Sequence, residues 1–455
     1  MENYDLIVIG GGPAGYNGAE RAAGTGLKVL LIEKEDLGGT CLNRGCIPTK
    51  TFLYSGKIYH YVKGDCERYG VKYDNPEVKH KAIVAKKDQV VKTLVGGIGA
   101  AMKRKKIKVV YGTAKLGDKK DGVFRVTVDD EKYTGKSLLI ATGSAPVIPK
   151  IPGVDEEIVK GTVVTSTEVL MLEEVPEKLV IIGGGVIGFE MAAYFQMMGS
   201  QVTVMEMLDK VLGNNDREIS AIIQKQMEQK GIRFFLNSKV CEIKNGVCKF
   251  VKDGEEISIN YDKVLLSVGR KPVTDLEGLE QLGVKIQKGA IVTDDECHTT
   301  AEGIYAAGDV NGKITLAHVG YREAEVAVNN ILGKKDRMDY SAIAGVVYTH
   351  PEAAFVGLNE EQAKEAGIDI EVKKVSINFS GRHVVENGMS DGICKIVIDK
   401  KKEIIIGASL LCSYASEIIY SLALMIQNKI PVESIVRTVF PHPTVCEIIR
   451  EALMD

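Results

Sequence analysis

The sequence predicts an α/β chain with two similar parallel-sheet units and a further C-terminal α/β unit. Three observations carry this. A strand, a glycine-rich turn, a helix and a strand ending in an acid occupy residues 4–33. The same order returns at 178–206. Glycine pattern and acid are displaced by one common distance, 173 residues, from Gly10 to Gly183 and from Glu33 to Glu206. A chance glycine turn would not reproduce a second feature at that offset.

The first unit opens on YDLIVI, Tyr4 to Ile9, a short apolar strand. Gly10, Gly12 and Gly15 follow as G-x-G-x-x-G, then a helical stretch, then KVLLIE ending at Glu33. The first glycine permits a tight turn, the second lets backbone approach a pyrophosphate, and the third allows close helix–strand packing. Amides at the helix start suit the phosphates, and an acid at the end of the second strand can accept hydrogen bonds from ribose hydroxyls. In the second unit Gly183, Gly185 and Gly188 fill the pattern and Glu206 is the acid. Two dinucleotide sites follow. Glu206 would pair with a free 2′-hydroxyl and repel a 2′-phosphate, and no arginine cluster follows it, which favours NAD over NADP.

The chain has 455 residues, room for about three domains. Its 58 basic and 61 acidic residues leave a net charge of −3, which argues against bulk nucleic-acid binding. The longest stretch without a charged side chain, Leu6 to Ala19, is 14 residues, short of the roughly 20 a membrane span needs. The first strand begins within the first few residues, so neither a leader nor a fused N-terminal domain is expected, and a cytoplasmic location is. Nine cysteines are present. Seven of them show no metal spacing and read as small buried hydrophobes.

Cys41 and Cys46 stand apart, within GGTCLNRGCIPTK, Gly38 to Lys50. On an ideal helix a five-residue rise is ~7.5 Å, beyond the usual ~4.4–6.8 Å Cα separation of a disulfide. A bridge would need a distorted turn, which Gly38, Gly39 and Gly45 make plausible, and a strained bridge suits catalysis better than stapling. Near the C-terminus FPHPTVCE holds His442 between two prolines, with Glu447 five residues on. A rigidly aimed imidazole with an orienting acid suits acid–base work.

GGTCLNRGCIPTK resembles the redox-disulfide signature of the pyridine nucleotide–disulfide oxidoreductases. LLIATGSAP (Leu138 to Pro146), LLSVGRKPVT (Leu265 to Thr274), TAEGIYAAGDV (Thr300 to Val310) and VVYTHPEAAFVG (Val346 to Gly357) are similar to further family segments, in chain order. The resemblance implies an FAD domain at 1–147 and 275–340, an NAD domain inserted at 148–274, and a dimerisation domain at 341–455. It implies FAD contacts at Gly10, Gly12, Gly15, Glu33, Lys34, Gly39, Thr40, Lys50, Ala114, Ala141, Thr142, Gly143, Asp309, Leu316, Ala317 and His318. NAD contacts would fall on Gly183, Gly185, Gly188, Glu190, Glu206, Val240 and Gly269. Cys41 becomes the interchange thiol and Cys46 the flavin-side thiol. Lys50 and Glu190 form an ion pair beside the flavin. His442 with Glu447 serves the disulfide of the other subunit, so a homodimer is implied.

The implied reaction is oxidation of dihydrolipoyl groups on an acyltransferase or a glycine-cleavage H protein, with reduction of NAD⁺. Another disulfide reductase, acting on glutathione, coenzyme A disulfide or a related thiol, is the alternative. No nucleic acid, membrane or metal is expected. Phe440, Arg44 and Val273 depart from the family pattern and bear on substrate preference. Three smaller features complete the reading. Residues 75–110 predict a long helix broken near Gly96, Gly97 and Gly99. KRKKIK (103–108) predicts a solvated helix end, and Lys400 to Lys402 a hairpin turn.

Overall fold

A computed structural model describes residues 2–454, the side chain of Asp65 aside. Apolar runs form buried parallel strands, as such sheets require. Glu2–Ile9 pairs in parallel with both Val29–Glu33 and Glu131–Ile140, and Lys108–Tyr111 extends the sheet beyond Val29–Glu33. Val123–Val128 and Ala114–Lys120 continue it antiparallel on the other side. Ile304–Ala306 returns from late in the chain to pair in parallel with Glu131–Ile140. A second, five-stranded parallel sheet runs Arg233–Phe235, Gln201–Met205, Lys178–Ile182, Lys263–Leu266, Val163–Thr165. Its strand order through the glycine turn repeats that of the first.

The two units are tied by a short antiparallel pair, Ser144–Pro146 with Arg270–Pro272. The C-terminal unit is a five-stranded antiparallel sheet, ordered Ala344–Val347, Glu352–Gly357, Ile404–Cys412, Ile393–Asp399, Ile370–Ser376. The helix Ala415–Gln427 packs Ile418, Ile419, Leu422 and Ile426 onto it. One apolar core joins Phe52 and Leu53 of the cysteine helix to Phe189 and Tyr194 of the second unit and to Val347 and Phe355 of the C-terminal sheet. The site described below sits on that shared core.

Of KRKKIK (103–108), residues 103–106 are an exposed helix end and turn as expected, but Ile107 is buried and Lys108 begins a strand; Lys400 to Lys402 lie in the turn between two paired strands. The expected break at the glycines is absent: His80–Arg104 is one 25-residue helix. Gly96, Gly97 and Gly99 cost it helix propensity, about 1 kcal/mol each. Ile98 and Met102 are buried against the first unit and hold the turn through them. The helix is also shorter than 75–110, because Lys108–Tyr111 is a strand. Of the seven remaining cysteines, Cys248, Cys297, Cys394 and Cys412 are buried, whereas Cys66, Cys241 and Cys446 are only half-buried. Among the described residues no helix is long and apolar enough to cross a membrane.

Candidate active site

The two glycine turns are built alike down to single contacts. Gly10 and Gly183 adopt φ of +103° and +104°. A Cβ on either would lie 2.3 Å from the Ala141 carbonyl oxygen or 2.5 Å from that of Ser267, so only glycine fits. A Cβ on Gly15 or Gly188 would strike the carbonyl oxygen of Gly10 or Gly183, at 1.7 and 2.1 Å. The third glycine therefore closes the turn on itself, a tighter role than the helix–strand packing expected of it. The helices Pro13–Gly24 and Val186–Met197 both start without a capping side chain or an acid in the first turn. Their leading amides are left for an anion. That is the arrangement a pyrophosphate fits.

The two acids also match. Glu33 accepts hydrogen bonds from the amides of Gly11 (2.5 Å) and Glu35 (2.8 Å). Glu206 accepts from Gly184 (2.7 Å) and Leu208 (2.9 Å). Each carboxylate braces its own glycine turn, a structural duty the sequence reading did not foresee. Each oxygen keeps a second lone pair for a ribose hydroxyl.

Around the first turn, Lys34 is exposed directly after its strand and Ala114 is buried beside Ile9 and Ile32. Thr142 donates to the Val273 carbonyl (2.6 Å), and Gly143 has φ +73°. Asp309 follows the strand that joins this sheet late in the chain and accepts from Ser144 Oγ at 2.5 Å. Leu316 and Ala317 begin the helix Ala317–Ile331, and His318 bonds the Ala344 carbonyl through Nε2 (2.9 Å). In the second unit Gly269 has φ +121°. Val240 points into the unit's core with Met205 and Phe250, so only its backbone is offered to a ligand.

The cysteine segment is two helices, Gly39–Arg44 and Cys46–His60, broken at Gly45. A Cβ on Gly45 would meet the Thr40 carbonyl at 2.9 Å, so its absence lets the chain fold back over Cys41. The break falls between the cysteines, as a close approach demands. Both are free thiols, and Cys41 is hydrogen-bonded to Cys46. The Cys46 thiol is lowered to about 7, first by that hydrogen bond and then by the nearby Lys50 ammonium, which outweigh burial and Glu190. Cys41 is pushed upward, by the same bond and by burial. Cys46 is thus the more acidic of the two thiols, and it stands at the first position of its helix, where the dipole favours an anion.

Lys50 Nζ meets both oxygens of Glu190, at 3.0 and 2.9 Å. Glu190 is 2% exposed and accepts a further hydrogen bond from the Tyr348 amide (2.9 Å). This pair was legible in the sequence; Tyr348 was not. His442 Nδ1 lies 2.8 Å from Glu447 Oε1, and the other carboxylate oxygen accepts from the Thr444 amide (2.8 Å). Burial draws the Glu447 carboxyl upward, but the Thr444 amide and His442 outweigh it and hold it below its ordinary value. The imidazole is 78% exposed. Among the described hydrogen bonds and ion pairs, none joins it to Cys41 or Cys46.

The sequence reading also missed a polar strap. Arg270 donates through Nε to Ser144 Oγ (2.8 Å) and through Nη2 to the Ser144 carbonyl (2.6 Å) and Thr40 Oγ1 (3.4 Å). It links the glycine-turn return, the cysteine helix and, via Ser144, Asp309. Both residues lay inside recognised segments, but nothing local indicated a contact across 126 positions. Of the departures from the family pattern, Arg44 pairs with Glu35, Val273 is tied in through its backbone, its amide donating to the Gly143 carbonyl at 2.9 Å, and Phe440 packs on the C-terminal core.

Two dinucleotide turns, a thiol pair at a helix break and a braced lysine–glutamate pair define a flavin- and nicotinamide-dependent dithiol oxidoreductase. Residues 4–324 match the pyridine nucleotide-disulphide oxidoreductase family, and residues 343–453 match that family's dimerisation domain. The chain belongs to this family, and its cofactors are FAD and NAD(H). It is 37% identical to a dihydrolipoyl dehydrogenase of Thermus scotoductus, covering 99% of this chain and 97% of that one. It is also 37% identical to the mitochondrial dihydrolipoyl dehydrogenase of Pisum sativum, over 100% of this chain and 91% of the other. Among solved structures, the HOCl-induced flavoprotein disulfide reductase RclA of Escherichia coli superposes with a TM-score of 0.86 at 29% identity, covering 99% of both chains. LpdA of Mycobacterium tuberculosis superposes at 0.90 with 25% identity, covering 100% of this chain and 99% of that one.

Proposed function

We propose that the protein oxidises dihydrolipoyl groups carried by a partner acyltransferase or glycine-cleavage H protein and reduces NAD⁺ to NADH, working as a cytoplasmic homodimer. The observation that carries this is the Cys41–Cys46 pair on either side of the helix break at Gly45, with the Lys50–Glu190 pair one turn further along, in a chain that resembles dihydrolipoyl dehydrogenases along its whole length. Residues 1–147 with 275–340 hold FAD, 148–274 hold NAD, and 341–455 form the dimer.

In the oxidised protein Cys41 and Cys46 are bridged. A substrate thiolate attacks Cys41 Sγ, the bridge breaks, and Cys46 leaves as the thiolate that Lys50 stabilises. The second substrate thiol then displaces Cys41 and closes the substrate disulfide. The substrate loses two electrons and two protons. His442 of the partner subunit, held by its own Glu447, takes the first proton, which keeps the attacking sulfur ionised. FAD, when bound, would supply the redox centre through which the substrate's electron pair passes to NAD⁺ as hydride, with the remaining proton released to solvent. Lys50 and Glu190 hold fixed charge where the two cofactors would meet.

The test is NAD⁺ reduction by free dihydrolipoamide with the purified, FAD-loaded protein. Fast NADH formation, lost in His442→Ala, is the expected result. Rapid flavin reduction by NADH without any dihydrolipoamide turnover would instead select the other reading, a reductase of glutathione, coenzyme A disulfide or a related small disulfide.

A further inference from the structure

The Lys50–Glu190 pair is a meeting point of three units. Lys50 comes from the cysteine helix and Glu190 from the first helix of the second unit. The third arm is Tyr348, just past the edge strand Ala344–Val347 of the C-terminal sheet. Its amide donates to Glu190 Oε1 at 2.9 Å, and its ring centroid lies 4.3 Å from Lys50 Nζ. The ammonium is therefore held by a carboxylate on one side and an aromatic face on the other. Beneath it lies the apolar core shared by the three units.

We propose that Tyr348 is a positioning residue for the thiol chemistry: its ring fixes the Lys50 ammonium and its amide fixes Glu190, and through Lys50 they set the thiolate character of Cys46. This rests on the reading of Cys46 as a reactive thiol. A lysine has four rotatable side-chain bonds, and a single carboxylate can be met from several rotamers. A second anchor that recognises the cation by its charge removes most of them. The groups facing Cys46 are Cys41 from the preceding helix, Lys50 from its own, Glu190, Arg270, Tyr321 and Tyr348. Lys50 favours the thiolate and Glu190 opposes it. Loosening Lys50 while Glu190 stays in place must raise the affinity of Cys46 for a proton.

The experiment is a pH titration of thiolate absorbance in the two-electron-reduced, FAD-loaded protein, with Cys46→Ser as the blank. Tyr348→Phe keeps the ring and should leave the midpoint unchanged. Tyr348→Leu should move it upward and cut the thiolate fraction at neutral pH by about threefold. Stepwise fluorination of phenylalanine at position 348 preserves shape while draining the ring face, so it stays informative even if the leucine variant folds poorly. The midpoint should climb with each fluorine. A constant midpoint across the fluorinated series overturns the inference, as does a downward shift in Tyr348→Leu. The titration does not depend on substrate: the predicted series in a protein that never oxidises dihydrolipoamide supports the role of Tyr348 and removes only the substrate assignment.

Discussion

The two glycine turns share their dihedral angles, their closing contacts and their bracing acids, yet they face different surroundings. The first is walled in. A Cβ on Gly39, at the start of the cysteine helix, would lie 2.6 Å from the Cα of Gly12. The second is open: a Cβ on Gly185 would meet nothing within 4 Å, nor would one on Gly213 in the loop after Glu206. The first turn is also roofed by a late-returning strand that delivers Asp309 and by the Arg270 strap. One supersecondary unit thus serves two ends. Where later chain packs over the turn, a bound ligand would be enclosed; where the turn faces free space, a ligand would be free to exchange. The difference lies outside the motif, in what the rest of the chain lays against it.

The largest expected effect separates the two units by function. Cys41→Ser removes the thiol carried by the walled turn. Dihydrolipoamide oxidation should fall by on the order of 10³-fold or more, while flavin reduction by NADH, which on the proposed function enters through the open turn, should continue. Equal loss of both activities in stopped-flow absorbance would mean that the two turns are not functionally divided.

Next come substitutions that probe the wall itself. Gly39→Ala must push the cysteine helix off Gly12 and should cost about 2–3 kcal/mol in chemical unfolding, with faster FAD loss on dilution. Gly213 also has positive φ, +58° against +55° for Gly39, but its Cβ would be free. Gly213→Ala should therefore cost only about 1 kcal/mol and leave FAD retention unchanged. Similar penalties at the two positions would show that backbone angle, not the wall, sets the difference.

Much of this was readable in advance. Both turns were legible because glycine, spacing and acid are local features with local causes. The His442–Glu447 pair could be read from its own short segment, whereas the Lys50–Glu190 pair was legible only through family resemblance, since its members lie 140 positions apart. Tyr348 and the Arg270–Ser144 contact escaped because each depends on how separate sheets dock, for which no periodicity exists. The helix through Gly96, Gly97 and Gly99 was misread for a related reason. Local propensity argued for a break, and burial of Ile98 and Met102 against distant strands overrode it.

Glu206 tests the open turn alone. Its carboxylate braces Gly184 and Leu208 and, on the proposed function, would also face the ribose of the nucleotide. Glu206→Gln keeps one acceptor oxygen and removes the charge. The NADPH/NADH ratio of kcat/KM should rise by about tenfold, with most of the change in KM for NADPH. An unchanged ratio would mean that the acid serves the turn and not the choice of nucleotide.

The smallest effect concerns the walled turn's thiols and has a definite sign. In the folded dithiol form Cys46 is lowered from an ordinary 9.0 to about 7. A depressed acid contributes stability that is fully present above its unfolded value and is lost as pH falls through its folded value. The reduced protein should therefore gain stability over Cys46→Ser as pH rises from about 7 to about 9, with no gain below that window. Because Cys46 is exposed by surface area even though neighbouring protein crowds its sulfur, solvent screens the charge and the gain is modest. It is read as a small upward drift in the urea midpoint of the reduced protein relative to the variant. A flat difference would mean that the Cys46 thiolate is not stabilised by the fold, and that the negative charge arises only when substrate breaks the bridge.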